Sequence, residues 1–374
     1  MVRRSDFALL LILALTALWR WGETVAAPTV LPDEQVYLRA ARHVEAGRSP
    51  YSEIGYFYPP PIATLVHLTT PHFGEIGALQ LLRGLSLAGL TIAVWLSLLA
   101  VSWPGYARAF AGILFITLAP AVQIATTLGN AAGLAAGLVL IGLLSWQRRP
   151  IIAGLVLGFG LAIKPIAPLA PLLLAFHRPA KSTRRHWLAA IISVVATAVA
   201  CLNGVRHLPG LLANARGHTN PYNFSLHRVL SSFGLELPTV LILLVAAAVA
   251  LLISRRRPLT QSDLLTVAVT ASLVGLPILW AHSLLLLLPV QLLAIDRCAR
   301  ALPRWQTSAR RQHVEIVLAA LALVSTILSH ATGTTQGIPD WGSAIIRVVP
   351  LLSIPYLGWF VFGRSQRSSA PALR

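Results

Sequence analysis

Long apolar runs alternate along this chain with short clusters of arginine, so the runs predict membrane-crossing helices and the clusters predict connections retained in the cytoplasm. The first run, Phe7 to Trp19, follows Arg3 and Arg4. A signal peptide ending near Ala26 and Ala27 is the alternative for this run, and Pro28 directly after that point argues against cleavage there. Either way Asp33 emerges outside the cytoplasm. Further helices are expected near 76–101, 107–125 and 131–147, which return the chain to Arg148 and Arg149 inside.

Two later segments do not fit single helices. Residues 150–176 carry positive clusters at both ends (Arg148 and Arg149; Arg178, Lys181, Arg184 and Arg185), so both ends belong on one side. The segment must enter and return, and its break is Lys164-Pro165, with Pro168 and Pro171 behind it. Each arm is then about 13 residues, or about 20 Å, against a hydrocarbon core of about 30 Å. Such broken helices are tolerated where they line a cavity or are buried in protein. Residues 264–295, bounded by Arg255 to Arg257 and by Arg297, Arg300 and Arg304, repeat the argument with a break around Pro277 to His282. Adding final helices near 313–330 and 342–362 gives the expected fold: an all-α membrane protein, one transmembrane domain over residues 1–374. It would have about twelve segments, some short and broken, with both termini cytoplasmic.

Two outer loops remain. Residues 28–75 hold Asp33, Glu34, Glu45, Glu53 and Glu75, and residues 203–236 hold Arg206, His207, Arg216, His218, His227 and Arg228, so an acidic loop faces a basic one. Within the first, Val36, Tyr37, Ala40, Ala41 and Val44 recur at helical spacing, with Arg39, Arg42 and Glu45 opposite. This predicts an interfacial helix lying on the membrane and ending at Gly47. From Ser49 to Pro61 an aromatic, proline-stiffened stretch returns to the next helix.

Composition narrows the class. The chain is 56% hydrophobic and 11% charged, whereas soluble domains carry about a quarter charged residues. With a mean hydropathy of +0.72 this excludes an ordinary soluble enzyme. The net charge of +18 is almost entirely arginine placed between apolar runs, without the aromatic interleaving of a nucleic-acid surface, so nucleic acid is not an expected partner. Cys201 and Cys298 lie far apart and imply neither a disulfide nor a metal site.

Asp33 is the candidate general base, because a hydroxyl group is a poor nucleophile until its proton is removed as the bond forms. An aspartate between proline and a helix is also a good amino-terminal cap, and the two roles can coexist. Glu34 is the second carboxylate candidate. Lys164, in an apolar segment beside a proline, is a candidate for a donor phosphate, with snorkelling to a headgroup as the alternative. His282, Arg206 and Arg228 are further phosphate candidates; contact with anionic lipid headgroups is the plainer reading for arginines on such a loop. Tyr37, Tyr58, Asn130, Asn223 and Trp280 are candidates for sugar or acceptor contacts, although Gly129-Asn130 also reads as a plain interhelical turn. The sequence has no P-loop, dinucleotide fingerprint or Cys/His metal spacing.

Taken together, Asp33-x-x-Val36-Tyr37-x-x-Ala40-Ala41, Gly47-Arg48-Ser49-Pro50-Tyr51, Phe57-Tyr58-Pro59-Pro60, the Gly154 to Lys164 run ending in Lys-Pro, and Leu279-Trp280-Ala281-His282 resemble glycosyltransferase family 87. That family belongs to the multi-spanning GT-C class. The resemblance implies a GT-C-like bundle and an inverting transfer of mannose, or in some members arabinofuranose, from a polyprenyl phosphate. The acceptor it implies is a glycolipid or lipoglycan on the outer face of the plasma membrane, as in actinobacterial envelopes. The family aspartate maps onto Asp33 and its phosphate-side histidine onto His282. Three positions depart from the pattern: Gly129-Asn130 stands where many members have Gly-Gln, Asn223-Phe224-Ser225 where a loop reads like Asn-Gln-Ser, and Ser283 where a second histidine occurs. A lipid phosphate is already a good leaving group, so the sequence requires no metal. The rival readings are a lipid or sugar flippase, which would also need broken helices and a buried charge, and a noncatalytic envelope scaffold.

Overall fold

The computed structural model describes residues 4–53, 55–176, 183–205, 237–256, 261–276 and 281–301, with a few isolated positions between 207 and 234. Among the described residues all regular structure is helical. In chain order the elements are α1 (Arg4–Ala26), α2 (Pro32–Glu45), α3 (Pro60–Leu99), α4 (Gly105–Leu118), α5 (Pro120–Thr127) and α6 (Ala132–Ser145). They continue with α7 (Pro150–Ile163), α8 (Ala170–Phe176), α9 (Thr183–Val205), α10 (Thr239–Arg256), α11 (Gln261–Gly275) and α12 (Leu288–Ala301), and 3-10 turns cover Pro50–Ser52 and Ala281–Leu287.

Among the described residues, three helices are long and apolar enough to cross a membrane, α1, α3 and most of α9, and α4 with α5 makes a fourth as a pair bent by 48°. Four more apolar helices, α6, α7, α10 and α11, are shorter than a full span. The expected segments near 313–330 and 342–362 and most of the 203–236 loop lie outside the described residues. Bands of exposed apolar side chains, such as Leu11, Leu15 and Leu18 on α1 and Val240, Leu244 and Val245 on α10, suit contact with lipid tails.

Lipid tails are as apolar as leucine, so helices meet in a membrane through small residues that let backbones approach closely. Gly133 and Gly137, one turn apart on α6, face Ser86 and Gly89 of α3; a methyl group on Gly89 would lie 2.6 Å from the Gly133 carbonyl oxygen. Gly154 and Gly158 of α7 meet α9 in the same way, at the carbonyls of Ala189 and Ser193.

The expected break at Lys164-Pro165 is present. α7 ends at Ile163, Lys164 is extended (φ −154°, ψ 119°), and the return helix α8 is only seven residues long. Two expectations differ from the structure. Residues 60–73, read above as the end of an outer loop, are helical and form the first part of α3, which breaks at Gly74 (φ 70°, ψ 169°). The prolines at 60 and 61 start that helix rather than stiffening a loop, since proline suits the first helical turn, where no N–H is needed. The apolar face of α2, expected to rest on lipid, packs instead on protein: Tyr37, Leu38, Ala40 and Ala41 join Ile62, Ala63, Val66, Leu79 and Leu82 of α3 in one buried cluster.

Candidate active site

The site forms where three chain ends converge: the start of α2, the turn between α5 and α6, and the tip of α7. At the first, the cap is not Asp33. Leu31 precedes the helix, and Glu34 reaches back so that its Oε2 accepts the Leu31 N–H at 2.8 Å. The Asp33 carboxylate is thereby free to leave the helix, and its backbone N–H donates to the Leu128 carbonyl at 3.0 Å, tying α2 to the α5–α6 turn.

Both hydrogen bonds to the Asp33 side chain fall on one oxygen. Asn130 Nδ2–H donates to Oδ2 at 2.5 Å and the Tyr58 hydroxyl donates to the same oxygen at 3.3 Å, which leaves Oδ1 without a partner among the described residues. Asn130 also donates to the Tyr58 hydroxyl oxygen at 2.7 Å. Its Oδ1 accepts from the Ala132 N–H at 2.8 Å and from Lys164 Nζ at 3.3 Å. Lys164, 7% exposed, lies 5.1 Å from the centre of the Tyr58 ring, so that ring's face also meets its charge. Burial raises the Asp33 pKa above the ordinary carboxylate value, against the lowering effects of the Asn130 bond, the Lys164 charge and the Tyr58 bond. Burial likewise pushes the Tyr58 phenol well above its usual value, so it remains a neutral donor.

A tyrosine cluster frames this group. Tyr37 and Tyr58 meet edge to face at 4.9 Å, the Tyr51 hydroxyl donates to the Tyr58 carbonyl at 3.1 Å, and the Tyr56 hydroxyl donates to the Pro59 carbonyl at 2.8 Å. Tyr37 is fully enclosed, with its hydroxyl accepting from the Ala131 N–H at 3.5 Å. Asn130, like Tyr37, is enclosed in this conformation, at 1% exposure. Glu34 is committed elsewhere too: at 0% exposure it forms a two-pronged ion pair with Arg83 of α3, with both N–O distances 2.6 Å. Arg83 extends beyond that pair to the carbonyls of Thr24, Ala27 and Thr29, at the end of α1 and just after it. Gly129, at φ +69°, completes the seam, since a side chain there would lie 2.6 Å from the Glu34 carboxyl group.

The structure therefore brings together Asp33, Tyr58, Asn130 and Lys164, with Glu34 directed to Arg83. The 3-10 turn that begins at Ala281 packs against α5 and α6, the helices flanking Asn130; the side chain of His282 lies outside the described residues, as do Arg206, Arg228, Asn223 and Trp280. Arg83 was missed in the sequence reading, although a lone arginine between Leu82 and Gly84 in an apolar run is the same signal that singled out Lys164. No group of three or more His, Cys, Asp or Glu side chains that could hold a metal ion is found among the described residues.

Comparison with known proteins places these residues in a wider group. A fragment of 168 residues, 43% of this chain, is 32% identical to GPI mannosyltransferase 1 of Aspergillus fumigatus and covers 38% of that protein, so the match spans well under half of that relative's length. Among solved structures, the apo oligosaccharyltransferase of Archaeoglobus fulgidus superposes with a TM-score of 0.40 at 16% identity, over 90% of this chain and 56% of that one. The model of glycosyltransferase family 87 matches residues 56–289, which include Tyr58, Asn130 and Lys164 and begin after Asp33. That match covers well over half of the 374 residues, and the chain belongs to glycosyltransferase family 87.

Proposed function

We propose that this membrane glycosyltransferase moves mannose from polyprenyl-phosphate mannose to a glycolipid or lipoglycan acceptor on the outer face of the plasma membrane, with inversion at the anomeric carbon. The observation that carries the reading is the Asp33 carboxylate: one oxygen is held by Asn130 and Tyr58, the other is open, and a buried lysine stands behind the same asparagine. As the acceptor hydroxyl oxygen bonds to the anomeric carbon, Asp33 Oδ1 takes its proton. The sugar–phosphate bond breaks, and the electron pair departs with the polyprenyl phosphate. Lys164, as the ammonium, favours the approach of that phosphate from a position the fold sets before the reaction. His282, Arg206 and Arg228 are the further candidates for the phosphate, with Trp280 and Asn223 for sugar or acceptor. In this topology the Asp33, Asn130 and Lys164 ends all lie outside, as alternation of the arginine-rich connections requires.

The test is Asp33→Asn in membranes supplied with labelled polyprenyl-phosphate mannose. Transfer should fall by about 100-fold or more, the usual contribution of a positioned base. Transfer at the wild-type rate rejects Asp33 as the base. Consumption of polyprenyl-phosphate arabinose in place of mannose corrects the donor alone, whereas lipid translocation with no transfer by either form favours a flippase.

A further inference from the structure

Asn130 was expected at most to touch a sugar, yet every hydrogen-bonding valence of its side chain is already taken. A primary amide offers two N–H donors and a carbonyl oxygen with two lone pairs. Here the donors go to Asp33 Oδ2 and the Tyr58 hydroxyl oxygen, and the two lone pairs receive the Ala132 N–H and Lys164 Nζ. The backbone is equally committed: the Asn130 N–H donates to the Ala125 carbonyl at 2.8 Å, and its carbonyl accepts from Ser86 Oγ of α3 at 2.8 Å. At 1% exposure nothing remains for a substrate. The orientation of the amide is not arbitrary either. Ala132 N–H and the lysine ammonium are both obligate donors, so they fix the oxygen end, and the NH2 end is forced toward the carboxylate.

The chemistry of this arrangement lies in what it prevents. A lysine paired directly with Asp33 would occupy the carboxylate and hold its pKa low, leaving a weak, blocked base. With an amide between them, the carboxylate receives the field of the cation and one strong N–H donor while Oδ1 stays open. We propose that Asn130 is a positioning residue for the proposed base: a polar spacer that orients the Asp33 carboxylate through Nδ2 and holds the Lys164 ammonium away from it through Oδ1. This rests on the reading of Asp33 as general base.

Among the described residues, Tyr37 on α2, Tyr58 before α3 and Lys164 at the end of α7 are the titratable groups around Asp33, while Glu34 is turned to Arg83. The acid limb of the pH–rate profile therefore reports chiefly on the Asp33 environment, and Asn130→Asp is the informative change. The new carboxylate retains an acceptor for the Ala132 N–H and for Lys164, so the turn and the lysine keep their partners. Facing Asp33, however, it replaces a donor by a like charge. The acid limb of kcat/KM for transfer from polyprenyl-phosphate mannose should move alkaline by about 1 to 2 pH units, with KM for the donor little changed. If that variant does not accumulate in the membrane, Asn130→Leu, which removes the donor while keeping the bulk that separates Lys164 from Asp33, should move the limb in the same direction by about half a unit.

A limb that does not move alkaline in the variant that assembles, with transfer merely lower at every pH, assigns Asn130 to scaffolding and overturns the proposal. Asp33→Asn in the same membranes separates the two layers. If it is inactive and the Asn130 limb is unmoved, only the positioning role fails; if it transfers at the wild-type rate, the base assignment fails and takes this proposal with it.

Discussion

The ion pair between Glu34 and Arg83 fixes the start of α2 against both α1 and α3, and cutting it is the sharpest test of how the site is held. Glu34 is 0% exposed and the Arg83 side chain 3%, so neither charge can turn to water when its partner is removed. Arg83→Met leaves a buried carboxylate that keeps the Leu31 N–H as a donor, and it removes the arginine donors from the carbonyls of Thr24, Ala27 and Thr29. Loss of one partner of a buried pair costs about 3 to 5 kcal/mol, most of it from the charge left behind. Replacing both, in Glu34→Met with Arg83→Met, removes that stranded charge, so the double variant should lose less than the sum of the singles, with a coupling on the order of 2 kcal/mol. Equilibrium unfolding in bicelles, followed by tryptophan fluorescence, measures all three. The exposed pair Arg42–Glu75, with side chains 61% and 42% accessible, serves as the internal control; its removal should cost under about 1 kcal/mol. Singles at Glu34 and Arg83 that cost no more than the control, or that add without coupling, refute the claim that this pair locks the helix carrying Asp33.

The raised pKa of Asp33 has a consequence for stability. Burial makes the ionised carboxylate unfavourable in the folded protein, so the contribution of Asp33 to stability is fully present below its unfolded value and is lost as pH rises through the higher folded value. Asp33→Asn should accordingly be at least as stable as the parent at neutral pH in the same unfolding assay while failing to transfer sugar. A helix-packing prediction compares two glycines on α3: Gly89→Ala sets a methyl group against the backbone of Gly133 and Leu134 and should cost about 1 to 3 kcal/mol, whereas Gly84→Ala meets nothing within 4 Å and should be neutral or slightly stabilising. Gly129→Ala combines an unfavourable positive φ with a clash against the Glu34 carboxyl group and should abolish transfer, read directly as labelled product.

What the sequence revealed and what it concealed follow from the range of the forces involved. The break at Lys164 was legible because proline excludes helix continuation locally and because charge clusters on both sides demanded a return. The amphipathic face of α2 was equally plain, yet periodicity states only that a face is apolar, never what covers it; the covering surface, Ile62 to Val66 and Leu79 to Leu82, lies on a helix whose first third the sequence presents as loop. Asp33 as cap was a fair inference from Leu-Pro-Asp, and it failed because Glu34, one position later, takes the Leu31 N–H. The bridge from Asp33 through Asn130 to Lys164 joins positions 97 and 34 residues apart in sequence and had no local signature at all.

That bridge also sets an order of events during synthesis. A nascent chain that has emerged as far as α6 already contains Asp33, Tyr58 and Asn130, whereas the cation arrives only when α7 has inserted and its tip has turned back. Until then the carboxylate sits beside an amide with one lone pair unfilled. Ribosome-bound intermediates that stop short of residue 164 therefore carry an unfinished centre, still without the cation that α7 delivers to Asn130.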